Sequence, residues 1–288
     1  LCWGMVSFHT LCPMRHLKPA LYVFALNVII SIYLQLNNVL LGFMKDTEAV
    51  GYFTAATKIM VITMSISSAL GAVIMPRTSN LIAEERMDEF KALVQKSYDF
   101  IFALAMPLMV GLIFTSPSAV LLLSGEGFVP AILTSQIVAF NILTVGLSGV
   151  MGIQVLYPLG KINIVILCTS IGAIINVFLN VLLIPRYGHN GTAVAYMLAE
   201  MTVTVSMFFI GKRYIPIRFL KRQHLNYVLG SVVMGVCLYF ISWLGLGNTA
   251  TLVMMISMGG IVYVVILLFL RDSIGMIPWK ILREKFGK

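Results

Sequence analysis

Between residues 251 and 270 the chain carries no charged side chain, and the run is filled with Leu, Ile, Val and Met. About 20 consecutive apolar residues are enough to cross the hydrocarbon of a bilayer as a helix. Comparable runs stand at residues 21–44, 50–75, 100–123, 131–157, 162–184, 192–211 and 227–246. Inside hydrocarbon every backbone N–H and C=O must be paired within the protein, which leaves only helices or closed barrels. Barrel strands would alternate over short segments. These runs are long and unbroken, so the predicted fold class is all-α, a polytopic transmembrane helix bundle with about eight complete spans. Composition points the same way: 59% of the 288 residues are hydrophobic and 11% charged, at a mean hydropathy of +0.96. Soluble domains carry about 25% charged residues.

The basic residues partition between alternate loops. All 20 Lys and Arg lie in one set of loops and the tail, except Lys45 and Arg186 in the other set and Lys58 within a span. Cytoplasmic loops are the Lys- and Arg-rich ones, so the C-terminus is predicted to be cytoplasmic. The net charge of +9 then serves anionic lipid headgroups and calls for no nucleic acid. Cys2, Cys12, Cys168 and Cys237 are scattered and form no CxxC pair. No metal site, disulfide framework or cofactor is expected from them. Glu85, Asp88 and Glu89 stand at helical i, i+3, i+4 spacing, but Arg86 and Lys91 are interspersed. That pattern reads as the solvated face of an interfacial helix in a long loop, residues 77–99. Pro107 and Pro117 predict a kink or a short break in the third span, with residues 119–124 along the outer interface. The chain opens on Leu1, and residues 1–8 are apolar, too short to span and without the basic start of a signal peptide. They read as the end of a helix that began earlier, in a longer protein.

Ionisable groups inside spans are costly and mark function by default. Here they are Lys58 and Glu200. For Lys58 the alternative is snorkelling to the interface; a carboxylate at Glu200 snorkels poorly, so a functional or structural pairing is expected there. The first span carries Asn27, Ser31, Gln35 and Asn38 on one helical face, and the second carries Thr54, Lys58, Ser65 and Ser68 on one stripe. Two polar stripes on adjacent helices predict the wall of a water-filled cavity. Asn176 and Asn180 are expected to bond between helices.

Several segments together resemble bacterial polysaccharide repeat-unit flippases, the polysaccharide-transporter branch of the multidrug/oligosaccharidyl-lipid/polysaccharide (MOP) exporter superfamily. They are Gly51-Tyr52-Phe53-Thr54-Ala55-Ala56-Thr57-Lys58-Ile59, Met75-Pro76-Arg77-Thr78-Ser79, Pro107 with Gly111, and Gly125-Glu126-Gly127-Phe128. Ile175-Asn176-Val177-Phe178-Leu179-Asn180, Ile184-Pro185-Arg186-Tyr187-Gly188, Gly191-Thr192-Ala193 and Ala199-Glu200 follow in order. The resemblance covers most of residues 21–211. It implies a fold of about 14 helices, of which residues 13–211 would be the six-helix C-terminal lobe. Residues 1–12 would be the end of a truncated helix. Residues 212–288 would be two further helices and a basic cytoplasmic tail, and the N-terminal lobe would be the missing partner. Many such relatives have an Asp in the seventh helix where this chain has Asn37, which weakens any ion coupling that depends on that carboxylate.

The function implied is flipping of undecaprenyl-pyrophosphate-linked oligosaccharides across the bacterial cytoplasmic membrane for O-antigen, capsule or exopolysaccharide synthesis. No catalytic residue is implied. Polysaccharide-assembly membrane proteins and membrane lipids are the implied partners. Lys58 would attract the pyrophosphate, while Asn27, Ser31, Gln35, Asn38, Thr54 and Ser65 would meet sugar hydroxyls. Glu200, Asn37, Arg77, Asn176 and Asn180 would take coupling or structural roles. A multidrug/cation antiporter of the same superfamily would favour carboxylates in the cavity wall. A prenyl-phosphate sugar enzyme would need larger or acidic loops than those at residues 45–49, 124–130, 185–191 and 247–250. A fragment inert by itself is the third alternative.

Overall fold

The computed structural model describes residues 35–219 and 221–270, together with 17, 21, 24 and 28. The expectations for Asn27, Ser31, the segment 1–12 and the basic tail fall outside them. All regular structure among the described residues is helical: α1 over residues 35–44, α2 Thr47–Ala83, α3 Met87–Ser124, α4 Ala131–Val138 and α5 Asn141–Gly149. A π-helical stretch, Val150–Leu156, continues α5, and α6 Ile162–Gly211, α7 Arg222–Ser242 and α8 Asn248–Phe269 follow. Among the described residues, five stretches are long and apolar enough to cross a membrane: α3, α4 to the π stretch taken together, α6, α7 and α8. The chain is a multi-pass membrane protein.

At a rise of 1.5 Å per residue the 50 residues of α6 would extend about 75 Å, more than twice the ~30 Å hydrocarbon core. Gly188 divides the helix, with φ 53° and ψ −131°, a backbone shape that side-chain-bearing residues rarely adopt. The two halves then fold back on each other. A Cβ on Gly191 would stand 2.6 Å from the Leu183 carbonyl oxygen, and one on Gly172 would run into Val203, so small residues let the two arms touch. Asp46 starts α2 by accepting from the Ala49 N–H at 2.7 Å, which satisfies one of the free donors of a helix start.

The long loop expected at residues 77–99 is instead two helix ends. α2 runs to Ala83, α3 begins at Met87, and Glu85 turns the corner at φ 58°. The charges there pair among themselves: Arg86 grips Glu84 at 2.8 Å and Glu89 at 2.7 Å, and Lys91 meets Asp88 at 3.2 Å. Hydrogen bonds from Glu89 and then Glu84 raise the Arg86 pKa above its ordinary value. The break expected in the third span is also absent, since α3 is continuous through Pro107 and Pro117. A proline inside a helix leaves the carbonyl four residues earlier without its N–H partner. Those carbonyls belong to Ala103 and Ile113. Tyr263 of α8 donates to the first at 2.6 Å, and Gln136 of α4 donates to the second at 3.1 Å. Neighbouring helices therefore supply what the prolines remove.

The bundle has two ends. At one, Gln95 near the start of α3 meets the backbone of Arg218, and Lys161 lies 4.8 Å above the Tyr214 ring. At the other, Thr134 donates to Asn190 at 2.7 Å, Tyr52 packs against Phe128 and His189, and Lys45 lies beside Gly188. Lys212 belongs to the first end and Arg186 to the second, as the alternation of basic loops requires.

Candidate substrate-facing surface

Adjacent residues on a helix point about 100° apart, and α1 uses this to separate two kinds of polar group. Asn37 is 1% exposed and turns into the protein; Gln35 is exposed and Asn38 half-buried. Asn38 accepts from Thr54 of α2 at 3.4 Å, which brings the two predicted stripes together. Further along α2, Lys58 and Ser65 are exposed, and the exposed set continues through Val61, Ile62, Ala69, Ala72 and Val73. These positions recur at helical spacing on one face. That face holds a cation with no carboxylate partner among the described residues. Ser65 bonds back to the Ile62 carbonyl, at 2.7 Å. Arg77 is also exposed, one residue beyond Pro76.

Ile62 and Thr63 do something else as well. With Phe100, Leu104, Pro107 and Gly111 of α3, and Met234, Met255, Gly259 and Tyr263 of α7 and α8, they line an open cleft of about 720 Å³. Its walls are almost wholly apolar. Lys58 and Ile62 are both exposed and one helical turn apart, so the face of α2 that carries Lys58 leads toward the cleft. A head-and-tail molecule could lie across the two, its polar part against Lys58 and its hydrocarbon part in the cleft. Cleft-lining residues were not recognisable in the sequence as anything but membrane-facing or core positions.

The inward polar groups are bonded to one another. Asn180 donates to Asn37 Oδ1 at 2.9 Å and approaches Asn176 through its carbonyl oxygen at 2.9 Å and its side-chain oxygen at 3.1 Å. All three asparagines are essentially sealed from solvent. Asn180 thus bonds to another helix, α1, whereas the bonds of Asn176 stay within α6. Glu200 is buried too; one turn on, Thr204 donates to the carbonyls of Glu200 and of Thr144 in α5, both at 2.9 Å. A further buried bond joins Ser97 of α3 to Gln154 in the π stretch at 2.5 Å.

One cluster has no counterpart in the sequence reading. Asp99 of α3 is buried and accepts from Gln95 at 2.8 Å. Lys221 reaches it at 2.6 Å and His224 Nε2 at 3.0 Å, both from the start of α7. His224 stacks on Phe102 with ring centroids 4.7 Å apart. This clip fastens α7 to α3 just below Phe100 of the cleft.

Residues 6–133 match the model of a family described as polysaccharide biosynthesis protein. Over 93% of its length the chain is 25% identical to the probable low-salt glycan biosynthesis flippase Agl15 of Haloferax volcanii, covering 58% of that protein. Its fold superposes on the lipid II flippase MurJ in an inward closed conformation, with a TM-score of 0.76, 17% identity, and coverage of 93% of this chain and 57% of that one. A MOP superfamily transporter from Pyrococcus furiosus, for which a binding pocket of reverse polarity is described, superposes at a TM-score of 0.60 with 16% identity, covering 85% of this chain and 60% of that one.

Over most of its length the chain is similar in sequence to a glycan-biosynthesis flippase, and it shares the fold of MurJ.

The chain spans a little under three fifths of the length of Agl15 and MurJ. Within this fold, Lys58 stands on an outward face of the described part. Asn37, Asn176, Asn180 and Glu200 stand inside it. The sequence put all of these on one roster of membrane polar groups; packing divides them.

Proposed function

We propose that the protein to which this chain belongs flips a lipid-linked oligosaccharide, and that this chain supplies the lobe carrying one wall of the substrate path. The observation that supports this most is the continuity between the Lys58 face of α2 and the apolar cleft that begins at Ile62. A sugar head cannot cross hydrocarbon unaided, whereas a prenyl chain prefers it; a carrier has to offer each part its own surface. The Lys58 ammonium is the receptor for the pyrophosphate. Gln35, Asn38, Thr54 and Ser65, with Asn27 and Ser31 further along the first span, offer hydrogen bonds to sugar hydroxyls. The carrier is undecaprenyl pyrophosphate in a bacterial cytoplasmic membrane, and the end holding Lys161, Lys212 and Arg218 faces the cytoplasm.

No chemical bond is made or broken in this scheme, so the protein is a transporter and not an enzyme. A cation extruder is less well served, because the exposed charge on α2 is itself a cation and Glu200 is buried. Coupling does not run through a carboxylate at position 37, since Asn37 has none.

The test is flipping by the full-length protein reconstituted with a fluorescent lipid-linked oligosaccharide. Charge-assisted bonds are worth about 1.5–3 kcal/mol, so Lys58→Gln should slow flipping about 10- to 100-fold while Lys58→Arg keeps most of it. Equal rates for Lys58→Gln and the parent would overturn the assignment of Lys58. Gradient-driven export of an organic cation, with no flipping by the parent, would overturn the flippase reading itself.

A further inference from the structure

We infer that the segment joining α6 to α7 is a preorganised receptor for the phosphate headgroups of anionic phospholipids. Its sequence, residues 212–222, carries Lys212, Arg213, Arg218, Lys221 and Arg222. Ile215 and Ile217 are buried in the core beside Gly211 and Leu156, and Phe219 packs edge-on to Tyr98 and Phe208. The backbone of Arg218 is held on both sides by one amide: its N–H donates to Gln95 Oε1 at 2.7 Å, and Gln95 Nε2 donates to its carbonyl at 3.4 Å. A segment pinned this way cannot collapse onto distant carboxylates.

Its cations remain unneutralised. Lys212, Arg213, Arg218 and Arg222 are exposed, and none forms an ion pair among the described residues. Lys221 is the exception, because Asp99 holds it at 2.6 Å. At the same end of the bundle, Arg86 and Lys91 are matched by Glu84, Glu89 and Asp88. The two basic regions therefore differ in what they leave for an external anion: the α2–α3 corner leaves little, and the α6–α7 segment leaves four cations.

The identity of the anion follows from what flanks them. Phe209 is 67% exposed just before the cations, and Leu225 is 56% exposed just after them. Lipid-facing apolar surface thus gives way to positive charge within a few residues, which is the depth of phospholipid headgroups. Each Lys or Arg at an anionic membrane surface contributes about 1 kcal/mol. The inference does not rest on the flippase reading and would hold for any transported substrate.

The experiment is native mass spectrometry of the detergent-purified full-length protein titrated with phosphatidylglycerol or phosphatidylcholine. The variant Lys212→Gln/Arg213→Gln/Arg218→Gln/Arg222→Gln should lose phosphatidylglycerol affinity by about fivefold per cation removed and keep its weak phosphatidylcholine binding. The matched variant Arg86→Gln/Lys91→Gln should retain the parent affinity for both lipids. Unchanged phosphatidylglycerol affinity in the fourfold variant overturns the proposal. So does an equal loss in the matched variant, or a capture of acidic soluble protein by the segment without preference for phosphatidylglycerol. All substituted side chains are exposed, so folding is not at stake. Gln95→Leu, which frees the backbone but keeps every charge, should weaken phosphatidylglycerol binding by a smaller factor; an unchanged affinity there overturns the claim of preorganisation.

Discussion

Lys58 and Lys221 are both lysines in an otherwise apolar helical protein, and the structure treats them in opposite ways. Lys221 closes on Asp99 at 2.6 Å, with Gln95 and His224 completing the carboxylate's partners. Lys58 is exposed on α2 and forms no ion pair among the described residues. A buried charge with a full set of partners holds helices together. An exposed charge without such partners holds no helices together, which leaves Lys58 for the substrate role proposed above. Residue type does not separate the two roles; the inventory of partners does.

The largest expected effect breaks the paired side of this comparison. Removing one member of a buried ion pair leaves the other uncompensated, at about 3–5 kcal/mol. Asp99→Ala should therefore destabilise the protein by about that amount, measured by denaturant unfolding in detergent micelles. Both Lys221 and His224 lose their acceptor, and α7 loses its clip to α3. Lys58→Gln should leave unfolding within about 0.5 kcal/mol of the parent, the usual range of exposed substitutions, while slowing flipping. If the two substitutions destabilise equally, the division between structural and substrate-facing lysines fails.

The buried asparagines sharpen the same contrast on the neutral side. Asn180→Ala removes the buried donor to Asn37 Oδ1, and the net loss of one hydrogen bond costs about 0.5–1.5 kcal/mol. Ser65→Ala removes a hydroxyl that bonds back to its own helix at Ile62, so its effect on stability should stay near zero. Thermal unfolding of the two variants side by side would decide whether the inward and outward polar groups are as different as their packing says.

Much of the architecture was readable in advance because hydrocarbon imposes it. Apolar runs of spanning length and the alternation of basic loops follow from the bilayer, and no tertiary detail is needed to see them. The hairpin within α6 was visible in Pro185 to Gly191, although the helix is interrupted there only at Gly188. The corner between α2 and α3 was misread as a long interfacial loop, because opposite charges at helical spacing look alike on an interfacial helix and at the ends of two long helices. The Asp99 clip was invisible for another reason: its members lie more than a hundred residues apart in sequence, and Asp99 sat in what read as a solvated loop. The cleft was hidden because an apolar residue carries no mark of whether it meets lipid, core or open space. Asn37 and Asn38 show the limit most sharply. They are neighbours in sequence, yet one bonds to Asn180 inside the lobe and the other to Thr54 on the α1–α2 surface.

The smallest expected effect concerns Tyr263, which lines the cleft and donates to the Ala103 carbonyl at 2.6 Å. That carbonyl is available because Pro107 has no N–H to give it. Tyr263→Phe keeps the ring and removes the donor, so it should cost about 1 kcal/mol, the typical net worth of one hydrogen bond. The cause can be isolated by a double-mutant cycle. In a Pro107→Ala background the helix regains its own N–H donor to the Ala103 carbonyl, and the penalty of Tyr263→Phe should shrink to a few tenths of a kcal/mol. An undiminished penalty in that background would mean that Tyr263 stabilises α8 through its other contacts, and that the carbonyl freed by proline is not what holds it. The same cycle with Gln136→Leu and Pro117→Ala tests the second freed carbonyl, at Ile113, where the 3.1 Å bond predicts a smaller coupling.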